Sequence, residues 1–215
     1  MAIITGGGGD LAVEMRDQLL AAGYEVKAPT RAELDVTDAK AVEQYMQGCE
    51  RIDLLINNAG LTRDGRLQRL DEADWDEVLA VNTKGAFLCA KSALRKMIRQ
   101  RSGHVVNIGS YSALRPPVGQ VNYAAAKAAL IGLTQSLAAE SGARGVRVNC
   151  VLPGFLETRM TNSLSESARE QALQKHTLGR FNQVEDAARF IIFLDTMEGV
   201  SGQVFQLDSR LRSWC

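Results

Sequence analysis

The chain has 215 residues, 46% of them hydrophobic, and its 25 lysines and arginines are balanced by 25 aspartates and glutamates. That length and apolar content suffice for one domain-sized core over 1–215, and zero net charge supplies no field to gather nucleic acid or an anionic membrane. Cys49, Cys89, Cys150 and Cys215 form no CxxC pair, and only His104 and His176 are present to join them, so a reduced, cytoplasmic protein without a metal site is expected.

The first residues run Met1-Ala2-Ile3-Ile4-Thr5 into glycines with no basic and apolar leader, and no run of about eighteen apolar residues follows, so neither targeting nor a membrane span is expected. Short β-type apolar runs are predicted at 2–5, 25–29, 54–57, 105–108, 147–151 and 203–207. Between them, apolar positions at three- and four-residue spacing predict helices at 11–22, 39–47, 74–99, 123–139 and 184–193. This alternation predicts an α/β fold with a doubly wound parallel sheet, the Rossmann architecture. One connection is short. After the second strand, Leu34-Asp35-Val36-Thr37-Asp38 follows within a few residues, whereas a parallel crossover needs about a dozen or more. The third strand of such a sheet is therefore expected to be shortened or missing, together with the helix before it.

Between the first strand and first helix lies Thr5-Gly6-Gly7-Gly8-Gly9-Asp10-Leu11-Ala12. In that context glycines let backbone amides approach a diphosphate, and the spacing Gly6-x-x-Gly9-x-x-Ala12 supplies a turn, a close approach and a small residue for packing. Gly6, Gly8, Gly9, Asp10 and Leu11 are the candidate lining, with Asp10 expected as the helix N-cap; a glycine turn without a ligand is the plainer alternative. An acid near the end of the second strand favours NAD and an arginine favours NADP. Here Ala28-Pro29-Thr30-Arg31 puts Arg31 at that place, which favours NADP(H). The alternative leaves Arg31 as a solvated loop charge, with Glu33 on the ribose and NAD(H) as cofactor.

Tyr123-Ala124-Ala125-Ala126-Lys127 opens an alanine-rich helix, and a spacing of four sets phenol and amine on one face. An ammonium beside a phenol is expected to lower its pKa toward useful proton exchange, the chemistry of a general acid/base. Alone, YxxxK also describes an ordinary surface helix. Around it stand Asn58-Ala59-Gly60 closing a strand, Asn82 in a helix, Ser110 closing another strand, and Pro153-Gly154 after the next.

In this combination the chain resembles the short-chain dehydrogenase/reductases from Thr5 to about Asp208, nearly its whole length. The resemblance implies a catalytic tetrad of Asn82, Ser110, Tyr123 and Lys127, with the family's thirteen-residue step from Ser110 to Tyr123. It implies that Ser110 bonds the carbonyl oxygen and that Asn82 distorts its helix and holds a water that relays protons to Lys127. It also places Asp35 and Val36 beside the adenine, Asn58, Ala59 and Gly60 along the ribose side, and Thr158, after Pro153 and Gly154, on the nicotinamide carboxamide. Plainer roles stand beside these: a backbone-capping hydroxyl for Ser110, as Ser112 is expected to provide, and a helix cap for Thr158.

Within the family, Asn57-Asn58-Ala59-Gly60-Leu61-Thr62-Arg63-Asp64, Gly119-Gln120-Val121-Asn122-Tyr123 and Pro153-Gly154-Phe155-Leu156-Glu157-Thr158-Arg159-Met160-Thr161 resemble 3-oxoacyl-(acyl carrier protein) reductases. That implies a carbonyl substrate, small or an acyl thioester, with acyl carrier protein as a partner. Arg95-Lys96-Met97-Ile98-Arg99-Gln100-Arg101 would then receive the acidic carrier, or be a solvated helix face. Residues 155–176 are expected to form a substrate lid with a helical stretch at 166–175, His176 to lie in the lid or at the surface, and His104 to cap a strand. The glycine spacing, the short crossover and a last strand followed by Leu207-Asp208-Ser209-Arg210 rather than a glycine pair depart from the acyl reductases. A homodimer through the helices from Asp74 and Tyr123 is expected, a homotetramer being the alternative. The rivals are an NAD-dependent alcohol or sugar dehydrogenase of the same family, and a binding protein that keeps the fold without turnover.

Overall fold

A computed structural model describes residues 1–159, 161 and 166–211. Six strands, β1 (Ala2–Ile4), β2 (Val26–Lys27), β3 (Leu54–Asn57), β4 (Gly103–Ile108), β5 (Val146–Leu152) and β6 (Val204–Gln206), form one parallel sheet in the order β2-β1-β3-β4-β5-β6. They are the six expected. Their side chains alternate between two apolar faces. Ala2, Ile4, Leu54, Ile56 and Val106 pack under α1 (Asp10–Ala21) and α7 (Val184–Asp195). Ile3, Leu55, Val105 and Val148 pack under α2 (Ala39–Gln47) and α4 (Ala86–Gln100), with α5 (Val121–Ser141) beside them. A sheet buried on both faces needs near-continuous apolar strands, which is why these segments read as short unbroken runs rather than alternating ones.

The short crossover is as expected. Residues 28–38 form neither strand nor helix, so two-residue β2 is the edge of the sheet. Leu34 and Val36 turn inward and are buried, and Asp38 caps α2 by accepting from the backbone N–H of Lys40 and Ala41.

The long helix expected over 74–99 is interrupted. It comprises α3 (Glu72–Leu79), a π-helical stretch over Ala80–Gly85, and α4. Gly85 is required there because a Cβ would come within 2.6 Å of Val36 Cγ2.

His104 does not cap a strand. It lies inside β4, fully buried, with Nδ1 2.8 Å from Asp195 Oδ1 and Nε2 3.0 Å from Asn149 Nδ2. Burial pulls its pKa down against the pull of Asp195. Asp195 also accepts from Tyr24 at 2.6 Å and from Arg147 at 3.2 Å, and burial with that carboxylate pushes the Tyr24 phenol up to about 12. This polar knot ties β4, β5 and α7 together at the amino ends of the strands. Among the described residues Cys49, Cys89 and Cys150 are buried free thiols, no group of His, Cys, Asp and Glu is placed to hold a metal, and no helix is long and apolar enough to cross a membrane.

Candidate active site

The chain leaves β1 toward β2 and returns on the other side of β1 as β3, so a crevice opens outside the carboxyl ends of β1 and β3. Ligands of open parallel sheets bind at such a switch point. Its walls are the glycine loop after β1 and Asn58–Gly60 after β3, joined by Thr5. The Thr5 hydroxyl accepts from the N–H of Asn58 at 3.1 Å and of Ala59 at 3.0 Å, and Asn58 Nδ2 donates back to Thr5 O at 3.0 Å. Gly6 has φ +69°, and a Cβ there would meet Ala59 Cα at 2.8 Å. At Gly7 a Cβ would lie 1.9 Å from Ala28 O. We therefore expect Gly7→Ala to part the loop from the end of β2 and abolish dinucleotide binding, while circular dichroism still reports a folded α/β protein; unchanged binding in a cofactor titration would refute this reading of the loop.

Gly8 and Gly9 are open by comparison, with the nearest atoms to a Cβ at 3.9 Å and 3.5 Å. The first helical turn leaves its N–H groups free, since the first backbone bond of α1 runs from Val13 N to Gly9 O. A cradle that side chains would fill, with helix N–H groups at its mouth, fits the diphosphate of a nicotinamide dinucleotide. Leu11 offers only its backbone, because its side chain is in the core. Asp10 is not the N-cap. Gly9 holds that position without a side-chain bond, and Asp10 is the first helical residue, its carboxylate taken by Arg159.

Arg31 stands beyond β2 with its side chain 72% exposed, loosely paired to Asp35 at 3.8 Å and Glu77 at 3.9 Å. Thr30 lies beside the loop, its Cγ2 the nearest atom to a Cβ on Gly8. Glu33 Oε2 accepts from the Thr30 N–H at 2.8 Å and hydroxyl at 2.9 Å, which lowers the pKa of its carboxyl. Asp35 closes a turn onto Thr37, and Val36 is spent in the core.

The four polar residues implied by the family resemblance converge on the same crevice. Ser110 caps a short 3-10 turn, Tyr111–Ala113, accepting from Ser112 N at 3.2 Å, and its hydroxyl lies near enough to the Tyr123 phenol to pull against the rise in its pKa. It thus fills the backbone-capping role expected of Ser112, whose hydroxyl donates instead to Gln120 at 2.9 Å. Lys127, one turn along α5, sets Nζ 5.7 Å from the Tyr123 ring centroid and donates to Ile108 O at 2.8 Å. A Cβ on Gly60 would meet Asn82 Oδ1 at 2.7 Å and Lys127 Nζ at 3.5 Å, so Gly60 admits both groups to one spot. Asn82 lies in the π-helical stretch. Its Nδ2 donates to Val78 O and Leu61 O, each at 2.9 Å, leaving Oδ1 buried without a partner.

The expected lowering of the Tyr123 pKa is not what this site does. Burial raises the phenol above its ordinary value, against the hydrogen bond from Ser110 and with a small push from the charge of Asp64. Lys127 is itself desolvated and pulled down to about 8. The charge of Lys127 does not figure among the causes of the Tyr123 shift.

Beyond β5, Gly154 has φ +90°, and a Cβ there would meet Asp208 Cβ at 2.8 Å. Asn182 Nδ2 secures Pro153 O at 2.7 Å. Thr158 caps no helix; its N–H donates to the Thr161 hydroxyl at 2.9 Å. Of the expected lid, 155–159, 161 and 166–176 are described, the last including α6 (Glu166–Leu173), whereas Met160 and residues 162–165 lie outside the described residues. His176 is buried rather than at the surface, edge-on to Phe181 at 5.2 Å between centroids, with Nε2 3.8 Å from Asp208 Oδ2. The segment after β6 covers it, because Thr177 Oγ1 donates to Ser209 O at 2.8 Å. The basic stretch on α4 is partly spent: Arg95 pairs with Glu43, Lys96 donates to Gln47 O at 3.3 Å, and Met97 is fully buried.

Three contributors were not singled out from the sequence. Ile108 gives only its carbonyl; Asn122 holds Arg63 O at 2.9 Å, tying the segment after Gly60 to α5; Arg159 reaches the glycine loop. Asn122 sits in the quoted Gly119–Tyr123 phrase and was open to notice as a side chain one residue from the phenol.

The sequence profile of the short chain dehydrogenases matches residues 30–169. A 3-oxoacyl-(acyl-carrier-protein) reductase of Thermotoga maritima is 44% identical over 211 residues, covering 94% of this chain and 85% of the relative. The Aquifex aeolicus reductase of the same name is 42% identical over 212 residues, 96% of this chain and 85% of the relative, and that of Staphylococcus aureus 37% identical over 211 residues, 97% and 86%. With the sheet order, the glycine crevice and the polar residues gathered on it, these matches establish that the chain belongs to the short-chain dehydrogenase family and is an oxidoreductase.

Proposed function

We propose that the chain is an NADPH-dependent reductase of 3-oxoacyl thioesters, and that Tyr123 is its proton donor. The observation that carries this reading is the convergence of Ser110, the Tyr123 phenol, Lys127 and the unpartnered Asn82 Oδ1 on the switch-point crevice, with Lys127 Nζ 5.7 Å from the Tyr123 ring centroid and Gly60 admitting Asn82 and Lys127 to one spot. Gly6, Gly8, Gly9 and the N–H groups of Asp10 and Leu11 would hold the diphosphate. Asn58, Ala59 and Gly60 would line the ribose, Asp35 and the backbone of Val36 would flank the adenine, and Pro153, Gly154 and Thr158 would bound the nicotinamide.

When bound, the reduced nicotinamide supplies hydride to the carbonyl carbon. Ser110 Oγ and Tyr123 Oη hold the carbonyl oxygen as charge develops on it. Tyr123 then donates its proton, which a raised pKa keeps on the phenol through the neutral range. Lys127 lies one helical turn away to refill it, and Asn82 Oδ1 is the buried acceptor that orients the proton's path to Lys127. The segment 155–176 closes over the substrate.

Arg31 supports NADPH over NADH, because an exposed guanidinium in two long ion pairs is free to turn to a ribose phosphate. The thioester substrate and its carrier protein rest on the named relatives, with Arg99 and Arg101 the basic residues of α4 and its end not engaged as Arg95 and Lys96 are. Pairing of two copies through α4 and α5 is supported by the outward face of α5, where Ala125, Ala128 and Ala129 are exposed, and by Phe87 on α4, 42% exposed.

The test is a panel of acetoacetyl thioesters, sugar ketones and polyols with both cofactors in both directions. Consumption of NADPH on the thioester is expected, with a preference over NADH that falls about tenfold in Arg31→Ala, roughly one charge-assisted contact. Turnover confined to polyols with oxidised NAD would replace the reading by that of a dehydrogenase.

A further inference from the structure

Asp10 is an acid at the mouth of a loop built to receive an anion. Nothing in the loop itself offsets it, since Gly6 to Gly9 have no side chains. The compensating charge comes from 149 positions away. Arg159, on the segment after β5, donates its backbone N–H to Asp10 Oδ2 and its Nε to Asp10 Oδ1, both at 2.7 Å, and its Nη2 to Gly8 O. These bonds hold the Asp10 carboxyl below its ordinary range, the backbone N–H of Arg159 acting most strongly, so the acid is ionised at neutral pH. The guanidinium also occupies the negative end of the Gly8 carbonyl, leaving the loop to present N–H groups.

We infer that Arg159 is a positioning residue for cofactor binding, whose guanidinium cancels the charge of Asp10 beside the diphosphate cradle. The inference rests on the reading of this crevice as a nicotinamide dinucleotide site. It differs from a stabilising surface ion pair: with the Arg159 side chain 70% exposed, the pair contributes little to folding. Its effect falls on the anion that must approach Asp10, where repulsion acts over a few ångströms next to low-dielectric protein.

The experiment is a double-mutant cycle read by direct titration of NADPH and NADH in the absence of substrate. Arg159→Ala is expected to weaken both cofactors about tenfold, equivalent to about 1.4 kcal/mol, and Arg159→Lys to restore most of the loss. The double variant Asp10→Asn/Arg159→Ala is expected to bind within about threefold of the unmodified protein, because no charge remains to be cancelled. All variants should melt within about 3 °C of the unmodified protein, as befits an exposed pair. A double variant as weak as Arg159→Ala, or Arg159→Ala with unchanged affinity, would overturn the inference and leave the function standing. An unmodified protein that binds neither cofactor would overturn both.

Discussion

Tyr123→Phe is expected to lower kcat by about a thousandfold or more, within the range for loss of a positioned general acid, while leaving the affinity for NADPH unchanged. The substitution removes one oxygen and little else. Ser110 still accepts from Ser112 N at 3.2 Å, and its half-buried O–H can turn to water when the phenol is lost. The ring remains beside Lys127, whose own bond is to Ile108 O. Stability should therefore stay within about 1 kcal/mol, the net worth of one hydrogen bond. Steady-state oxidation of NADPH with a saturating thioester, paired with a fluorescence titration of the cofactor, separates the two effects. Turnover above a tenth of the unmodified rate would remove Tyr123 from its role.

Lys127→Met should cost a comparable share of turnover, on the order of a hundredfold to ten-thousandfold, and it carries a pH signature that Tyr123→Phe lacks. Burial depresses the folded-state pKa of the amine to about 8 from 10.5. Below about pH 8 the amine is charged in both folded and unfolded chains, and the desolvation penalty acts in full. Between about 8 and 10.5 the unfolded chain holds a proton that the folded chain has released, so this group's contribution to stability rises with pH across that window. The melting temperature of the unmodified protein, measured relative to Lys127→Met, is thus expected to climb from pH 7 to pH 10. The rate of carbonyl reduction should fall as pH passes about 8, because the ammonium is then no longer present to refill Tyr123. A flat difference in melting temperature would show that the amine is not desolvated as its burial requires.

How much of this was legible in the sequence depends on how locally each feature is encoded. The six strands were legible because a sheet covered on both faces demands short apolar runs, and the bare stretch after β2 because eleven residues, 28–38, leave no room for another crossover. Tyr123 and Lys127 were readable as a pair from their spacing on one helix, and Ser110 from its place at a strand end. The break in the helix carrying Asn82 did not show in the spacing of apolar residues and was expected only through the family resemblance, because a π-helical turn shifts the hydrogen-bond partner by one residue without altering the run of helix-forming side chains. The N-cap of α1 was misplaced by one residue, since Asp10 looks like a cap until Arg159 is seen to claim its carboxylate. His176 looked solvated because nothing nearby in sequence covers it; Phe181 and the residues after β6 do so through folding alone. The sign of the Tyr123 shift was lost for the same reason. Spacing reports that a cation is near, but not that the phenol itself is buried.

The bare edge beyond β2 has an evolutionary consequence. On the proposed reading the chemistry is anchored in strands and helices whose neighbours are fixed on both sides, while discrimination between cofactors would fall to a strip of chain stitched by Glu33 to Thr30 and by Asp35 to Thr37. Substitutions at a handful of these peripheral positions would then exchange one redox pool for another, with the machinery for moving a proton left untouched.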